Sequence, residues 1–133
     1  MVIYCDSVIL MYYFDHTGVF NVRAGNRMAA LLAAGDRIAV SDLVRLECRV
    51  KPMQTGDKAK LAVYDAFFAR PELRIVPLTT AAYDRATAIR AVYGFKTIDA
   101  IHLAAAAEAG CDDFLTNDNR LNKFRDITVE VLP

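Results

Sequence analysis

No apolar run in the chain approaches the ~18 to 20 residues that a membrane-spanning helix needs, and the longest, Val8 to Phe14, falls well short. A helical membrane anchor is therefore not expected, and no membrane partner with it. The chain passes straight into an apolar segment at Val2, without the basic region and small-residue cleavage site of a secretory signal. A cytoplasmic protein is the expectation. Charge bias is missing too: sixteen Lys and Arg balance sixteen Asp and Glu. A domain that binds nucleic acid by bulk charge is markedly basic, so any such binding must come from a local patch. The three cysteines, Cys5, Cys48 and Cys111, are far apart and form neither CxxC nor any Cys/His spacing suited to zinc. They read as small buried hydrophobes. Neither GxGxxG nor a P-loop lysine motif occurs, which disfavours a dinucleotide or nucleoside-triphosphate site. Internal repeats, low-complexity stretches and linkers are also absent.

What remains is a chain of 133 residues, 55% hydrophobic and 24% charged, which suits a single domain over residues 1–133 that buries its own core. Two kinds of apolar segment alternate. Short ones predict strands at Val2–Cys5, Arg37–Val40, Arg74–Val76, Asp113–Leu115 and Thr128–Val131. Longer ones with helical spacing predict about seven helices: Val8–Phe14, Val22–Ala34, Asp42–Val50, Asp57–Ala69, Ala81–Tyr93, Ile98–Ala109 and Asn119–Phe124. Met28, Leu31 and Leu32 share a predicted face, as do Leu61, Tyr64 and Phe68. Gly35, Pro71, Gly94 and Gly110 follow helical stretches as stop signals, and Ser41 and Thr97 precede them as candidate N-caps. Alternating strands and helices imply a mainly parallel sheet covered on both faces, with ligands beyond the carboxyl ends of the strands.

Four acids fall where that rule looks. Asp6 follows the first strand and would also serve as an N-cap. Leu43, Leu46 and Val50 define an apolar stripe on the third helix, and Glu47 joins it at i+4 from Leu43. Buried carboxylates are rare unless paired or metal-bound, so Glu47 is either an inward ligand or a salt-bridge partner of Arg45 or Lys51. Asp99 sits in the first turn of a helix apolar almost all round, where it would also complement the helix dipole. Asp118 follows the fourth strand; it or Thr116 would cap the next helix. Three of the acids are read at strand-to-helix junctions and the fourth projects inward, so all four face one sheet edge. Two carboxylates ~4 Å apart repel by about 4 kcal/mol at an effective dielectric of 20. Four together call for shared protons or hard cations, and Mg²⁺, with Mn²⁺ as substitute, takes a few carboxylates and keeps several waters. Such waters serve as nucleophiles on phosphodiesters.

The residues carrying these acids are Val2-Ile3-Tyr4-Cys5-Asp6-Ser7-Val8-Ile9-Leu10, Leu46-Glu47-Cys48-Arg49-Val50-Lys51-Pro52, Thr97-Ile98-Asp99-Ala100-Ile101-His102-Leu103-Ala104 and Leu115-Thr116-Asn117-Asp118-Asn119-Arg120-Leu121. In order and spacing they resemble the PIN-domain ribonucleases, and among them the VapC-type toxins of bacterial and archaeal toxin–antitoxin modules. The resemblance spans nearly the whole chain. It implies a three-layer α/β/α sandwich with a five-stranded parallel sheet, and Mg²⁺- or Mn²⁺-dependent endonucleolytic cleavage of a structured tRNA or rRNA. It also implies a homodimer and a cognate VapB-type antitoxin that blocks the site. On this pattern Asp6, Glu47, Asp99 and Asp118 are catalytic; Asp6 and Asp99 hold the principal metal, with Asp118 and Glu47 contributing directly or through water. Ser7 and Thr116 supply neighbouring hydroxyls. One position departs: where family members often carry Asn or Ser two residues after the first Asp, this chain has Val8, and loss of a polar group beside a metal weakens its binding.

Arg45, Arg49, Lys51, Lys96, Arg120 and Lys123 cluster around the acidic segments as candidate phosphate contacts. The bland reading of each is solvated charge. His102, one turn beyond Asp99, is read as a structural hydrogen-bonder, and Tyr12, Tyr13 and Phe14 as packing residues. The same residues leave two rival readings. One is a PIN-fold binding module with weak or lost catalysis, for which Val8 speaks. The other is a phosphoacceptor receiver domain, but Val76-Pro77-Leu78 lacks the acceptor Asp which that class needs after its third strand.

Overall fold

The computed structural model describes residues 1–133. The elements run β1 (Val2–Cys5), α1 (Ser7–Phe14), α2 (Val19–Ala33), β2 (Arg37–Ser41), α3 (Asp42–Thr55), α4 (Lys58–Phe68), β3 (Arg74–Val76), α5 (Thr80–Tyr93), α6 (Thr97–Glu108), β4 (Asp113–Thr116), a 3₁₀ helix (Asn119–Lys123) and β5 (Thr128–Val131). Every expected strand is present. Six of the expected helices are α-helical, whereas the seventh is 3₁₀, the geometry favoured by pieces this short. No helix is long and apolar enough to cross a membrane.

All five strands are parallel, in the order β3-β2-β1-β4-β5. β1 is the pivot: Tyr4 lies opposite Ala39 of β2 on one side and Phe114 of β4 on the other. The chain winds outward through β2 and β3, then crosses back to β4 and β5. Right-handed crossovers put α1–α4 on one face of the sheet and α5–α6 on the other. The packing agrees, since α1 touches α2 and α3, α3 touches α4, and α5 packs along α6. The reversal falls between β1 and β4, and at such a switch point the strand ends open a crevice.

The strands are near-continuous apolar runs because both sheet faces are covered. Ile3, Tyr4, Cys5, Ala39, Val40, Phe114 and Leu115 are fully buried, and Tyr4 stacks on Phe114 at 5.4 Å between centroids. α6 owes its burial to Leu103 and the run Ala104–Ala106, all without exposed surface, which lets it lie close against the sheet. All three cysteines are buried thiols. Phe14 meets Tyr64 and Phe67 edge-on, and Tyr12 stacks on Phe20, so the aromatic end of α1 is packing material. Gly35, Gly94 and Gly110 take positive φ where helices stop.

Several local expectations are corrected. The buried stripe of α3 is Val44, Cys48 and Pro52, not Leu43, Leu46 and Val50; Leu46 is 56% exposed and Val50 44%. Both stripes satisfy helical spacing, and the crossover geometry chose between them. α3 also continues past Val50 through Pro52 to Thr55, with Pro52 forfeiting the one intrahelical hydrogen bond to the Cys48 carbonyl. In α2, Met28 and Leu31 are buried while Leu32 is 60% exposed. Ser41 occupies the N-cap position of α3 without a capping bond, and Thr97 is the first residue of α6 instead of its cap. Asp99 does not follow a strand, since α6 comes directly after α5. The α5–α6 hairpin returns its N-terminus to the same sheet edge.

The corrected stripe gives a stability test. Leu103→Ala is expected to cost about 2 to 5 kcal/mol in urea unfolding, whereas Leu46→Ala stays within about 0.5 kcal/mol. Equal losses would show that Leu46 of α3 is packed as deeply as Leu103 of α6.

Candidate active site

Asp6, at the carboxyl end of the central strand, is 8% exposed. Its backbone N–H continues the β1–β4 ladder by donating to the Leu115 carbonyl at 2.9 Å. Its side chain caps α1, with Oδ1 accepting from the Ser7 N–H at 2.8 Å, while Oδ2 accepts from the Thr116 hydroxyl at 2.8 Å. The cap and candidate-ligand readings are therefore compatible: one carboxylate does the first and still faces the crevice. Burial pushes the Asp6 carboxyl above its ordinary range; the Thr116 hydroxyl partly offsets this, and Glu47 adds to it.

Asp118 lies across the switch point. It caps the 3₁₀ helix through the Arg120 N–H at 3.0 Å and is gripped by the Arg120 guanidinium at 3.0 and 2.6 Å. These hydrogen bonds hold its carboxyl below the ordinary range. Thr116 serves both acids, donating to Asp6 and accepting from the Asp118 N–H at 3.2 Å.

Asp99 enters from the N-terminus of α6. Its carboxyl is raised by burial first, then by the charges of Asp6 and Asp118. Glu47 enters from α3 and does not pair with Arg45 or Lys51. Its Oε1 receives His102 Nε2 at 2.5 Å and the Ser7 hydroxyl at 3.0 Å. Burial alone would raise the Glu47 carboxyl, but His102 and Ser7 bring it below its ordinary value.

All four acids line one open cleft of about 770 Å³, together with Ser7, Val8, Lys96 and Arg120. Of the basic candidates, only Lys96 and Arg120 belong to this cleft. Arg45 and Arg49 lie on the flank of α3, with Arg45 Nη2 3.5 Å and Arg49 Nε 3.0 Å from Asp65 Oδ1 of α4. Lys51 lines a separate hollow beside Pro52 and Lys60, and Lys123 lines a small recess that shares Lys96, Asp99 and Arg120. His102, read from sequence as a structural hydrogen-bonder, is buried and in direct contact with Glu47. The available signal was its place one turn after Asp99, but nothing in the sequence pointed it at residue 47.

A parallel α/β domain with carboxylates gathered at the switch-point edge of its sheet is thus defined by fold and site. A model of the PIN domain family matches residues 3–127, and the chain belongs to that family. Solved structures with the same fold include VapBC2 from Rickettsia felis bound to a DNA fragment from its promoter, with TM-score 0.80 and 15% identity over 100% of both chains. DNA-bound VapBC from Salmonella typhimurium aligns with TM-score 0.76 and 16% identity, over 100% of this chain and 99% of that one. VapC20 of Mycobacterium tuberculosis, a sarcin–ricin-loop-cleaving toxin, aligns with TM-score 0.69 and 14% identity, over 84% and 86%. No curated protein sequence matches the chain.

The electrostatic cost of the cluster is testable without any ligand. A carboxyl whose folded-state pKa is raised binds its proton more readily when folded. It therefore removes stability as pH rises from the unfolded carboxylate value, about 3.9, through the folded one. Asp99, raised in this way, lowers stability at neutral pH. Asp99→Asn is expected to raise the Tm of the metal-free protein at pH 7, with the gain vanishing near about pH 3, where the acid is protonated in both states. A lower Tm at pH 7 would contradict like-charge crowding.

Proposed function

We propose that this protein is a VapC-type toxin endoribonuclease. On this reading it hydrolyses phosphodiester bonds of a structured tRNA or rRNA with Mg²⁺ or Mn²⁺ and is restrained by a cognate VapB-type antitoxin. The observation that carries the reading is the convergence of Asp6, Glu47, Asp99 and Asp118 on one cleft of a PIN-family fold. That three solved structures of this fold are VapBC complexes or a VapC toxin supports the toxin assignment. A homodimer and residence in the cytoplasm are part of the same proposal.

The donor set fits a hard divalent cation. Burial raises Asp6 and Asp99, and neighbouring carboxylates add to it, Glu47 for Asp6 and Asp6 with Asp118 for Asp99, a strain that positive charge relieves. No three His, Cys, Asp or Glu side chains form a ready-made ligand group. Mg²⁺ binds one or two carboxylates and fills its remaining positions with water and substrate phosphate. Asp6 and Asp99 are the proposed principal ligands, with Asp118 as a third once Arg120 releases it. A bound cation would neutralise the acids and stabilise the phosphoryl oxyanion.

The chain's own residues do the rest. Ser7 and Thr116 hold Asp6 in place. Lys96 and Arg120, beside the acids in the cleft, meet phosphates flanking the scissile one. Glu47 accepts a proton from a water whose oxygen forms the new bond to phosphorus as the P–O3′ bond breaks. The departing 3′ oxygen takes a proton from solvent, leaving 5′-phosphate and 3′-hydroxyl ends. No RNA 2′-hydroxyl takes part.

Purified, antitoxin-free protein is expected to make discrete cuts in total cellular RNA with Mg²⁺ or Mn²⁺. EDTA should abolish them. Asp99→Asn should slow them by on the order of 100-fold or more, the rate equivalent of losing a few kcal/mol of transition-state stabilisation. Ends bearing 2′,3′-cyclic phosphate would overturn the water-attack chemistry. Silence from folded, metal-loaded protein would favour the binding-module reading, in which Val8, an apolar wall of the cleft, has replaced a polar group.

A further inference from the structure

Three polar side chains are sealed inside the protein behind the cleft: Tyr4 of β1 and Ser41 of β2 have no exposed surface, and His102 of α6 has 1%. Burying such groups is costly unless each is hydrogen-bonded, and here they satisfy one another in series. The Tyr4 hydroxyl lies 2.8 Å from Ser41 Oγ and 2.8 Å from His102 Nδ1. His102 Nε2 then reaches Glu47 Oε1 at 2.5 Å. The series crosses the sheet edge, starting on the strands, passing through α6 and ending on α3 from the opposite layer.

Only one proton arrangement satisfies every member. An ionised Glu47 accepts only, so Nε2 of the imidazole carries a hydrogen and donates it. In the neutral ring Nδ1 is then an acceptor, and the Tyr4 hydroxyl donates to it. The Tyr4 oxygen in turn accepts the Ser41 proton. Were the ring doubly protonated, Nδ1–H would point at Tyr4 and Tyr4 would donate to Ser41. The Ser41 proton would then be stranded in a fully buried site, because Tyr4 is the one hydrogen-bond partner of that hydroxyl.

We propose that His102, oriented by Tyr4 and Ser41, is a positioning residue that fixes the Glu47 carboxylate with Oε1 committed to the interior and Oε2 to the cleft. Ser7 completes the lock by donating to the same Oε1 at 3.0 Å. With Oε1 carrying two donors, Glu47 offers the cleft a single oxygen. That suits a proton acceptor for one water better than a bidentate grip on a cation. An apolar trio at positions 4, 41 and 102 would fill the same space without needing every proton placed; it would leave Glu47 held by Ser7 alone. The catalytic consequence rests on the nuclease reading, whereas the geometry of the lock does not.

Two measurements test the two parts separately. In metal-free protein, ¹⁵N–¹H correlation of the imidazole is expected to show His102 as the neutral Nε2–H tautomer with a protected, downfield proton. Tyr4→Phe, which removes the donor to Nδ1, should shift the Nδ1 resonance while the Nε2–H bonded to Glu47 persists. An Nδ1–H tautomer or a freely exchanging ring would overturn the lock. In RNA cleavage, His102→Leu is expected to lower kcat by roughly 10- to 100-fold, as loss of an orienting partner does, while KM changes by less than about twofold. His102→Gln, whose amide N–H extends toward the same oxygen, should recover most of the kcat. Equal kcat for the Leu and Gln variants, or losses accounted for by the unfolded fraction at the assay temperature, would overturn the positioning role. If the parent protein cleaves no RNA, the nuclease reading falls and the positioning role with it. The imidazole spectrum still decides the lock.

Discussion

The parallel pairing of β1 with both β2 and β4 is the constraint on which the site depends. Registered hydrogen bonds on both sides of one short strand bring three carboxyl ends into line, and the chain reverses its winding direction there. The ladder runs one residue beyond the strand, through the Asp6 N–H to Leu115. This fixes the Asp6 backbone before its side chain makes any contact. Thr116 ends β4 opposite that position, so the hydroxyl that holds Asp6 comes from the same pairing. A shift of one residue between β1 and β4 would move Thr116 to the other face and dismantle the centre of the cleft.

Around that fixed point the four acids differ in what answers their charge. Asp6 has a backbone N–H and a hydroxyl, Glu47 an imidazole and a hydroxyl, and Asp118 a guanidinium. Asp99 is the least compensated: burial, Asp6 and Asp118 act together to raise its carboxyl. The gradient runs from acids stabilised as anions to acids strained as anions, and the strained ones, Asp6 and Asp99, line the same cleft. Positive charge arriving in the cleft would meet the strained pair first. Charge crowding of this kind lowers the stability of the fold, a conflict common where structure is arranged for chemistry.

The two helical layers contribute unequally. α6 is fastened to the sheet by a run of buried alanines, close enough for His102 to reach over the edge. α3 instead presents Glu47 from the border of its buried stripe, beside Cys48. Placed on the stripe itself, the carboxylate would be sealed in the core; on the exposed flank, like Arg45, it would be lost to solvent. The border position makes Glu47 half-buried, desolvated enough to be strengthened by His102 yet still open to the cleft.

Much of this was legible from residue order. Alternating short and long apolar segments foretold the strands and their parallel arrangement, because a doubly covered strand must be apolar on both sides. Asp6 and Asp118 were placed by local rules alone, since each directly follows a strand. Helix position singles out Glu47 and Asp99 as well, and the family resemblance joins all four into one site. Glu47 was nonetheless assigned to the wrong stripe, because two faces of α3 share the same periodicity and only packing against α1 and α4 distinguishes them. Asp99 was read as following a strand, although the α5–α6 hairpin brings it to the edge. Arg45 and Arg49, neighbours of Glu47 in sequence, turn away to Asp65. The Tyr4–Ser41–His102–Glu47 series was invisible for the same reason: its members lie 37, 98 and 55 positions apart, and no local pattern encodes a contact across that separation. Residue order dictates which elements form and which acids stand at their ends, because these depend on neighbours within a few positions. Which side chains meet is left to the tertiary fold, because partners from opposite layers are brought together only by the winding of the sheet.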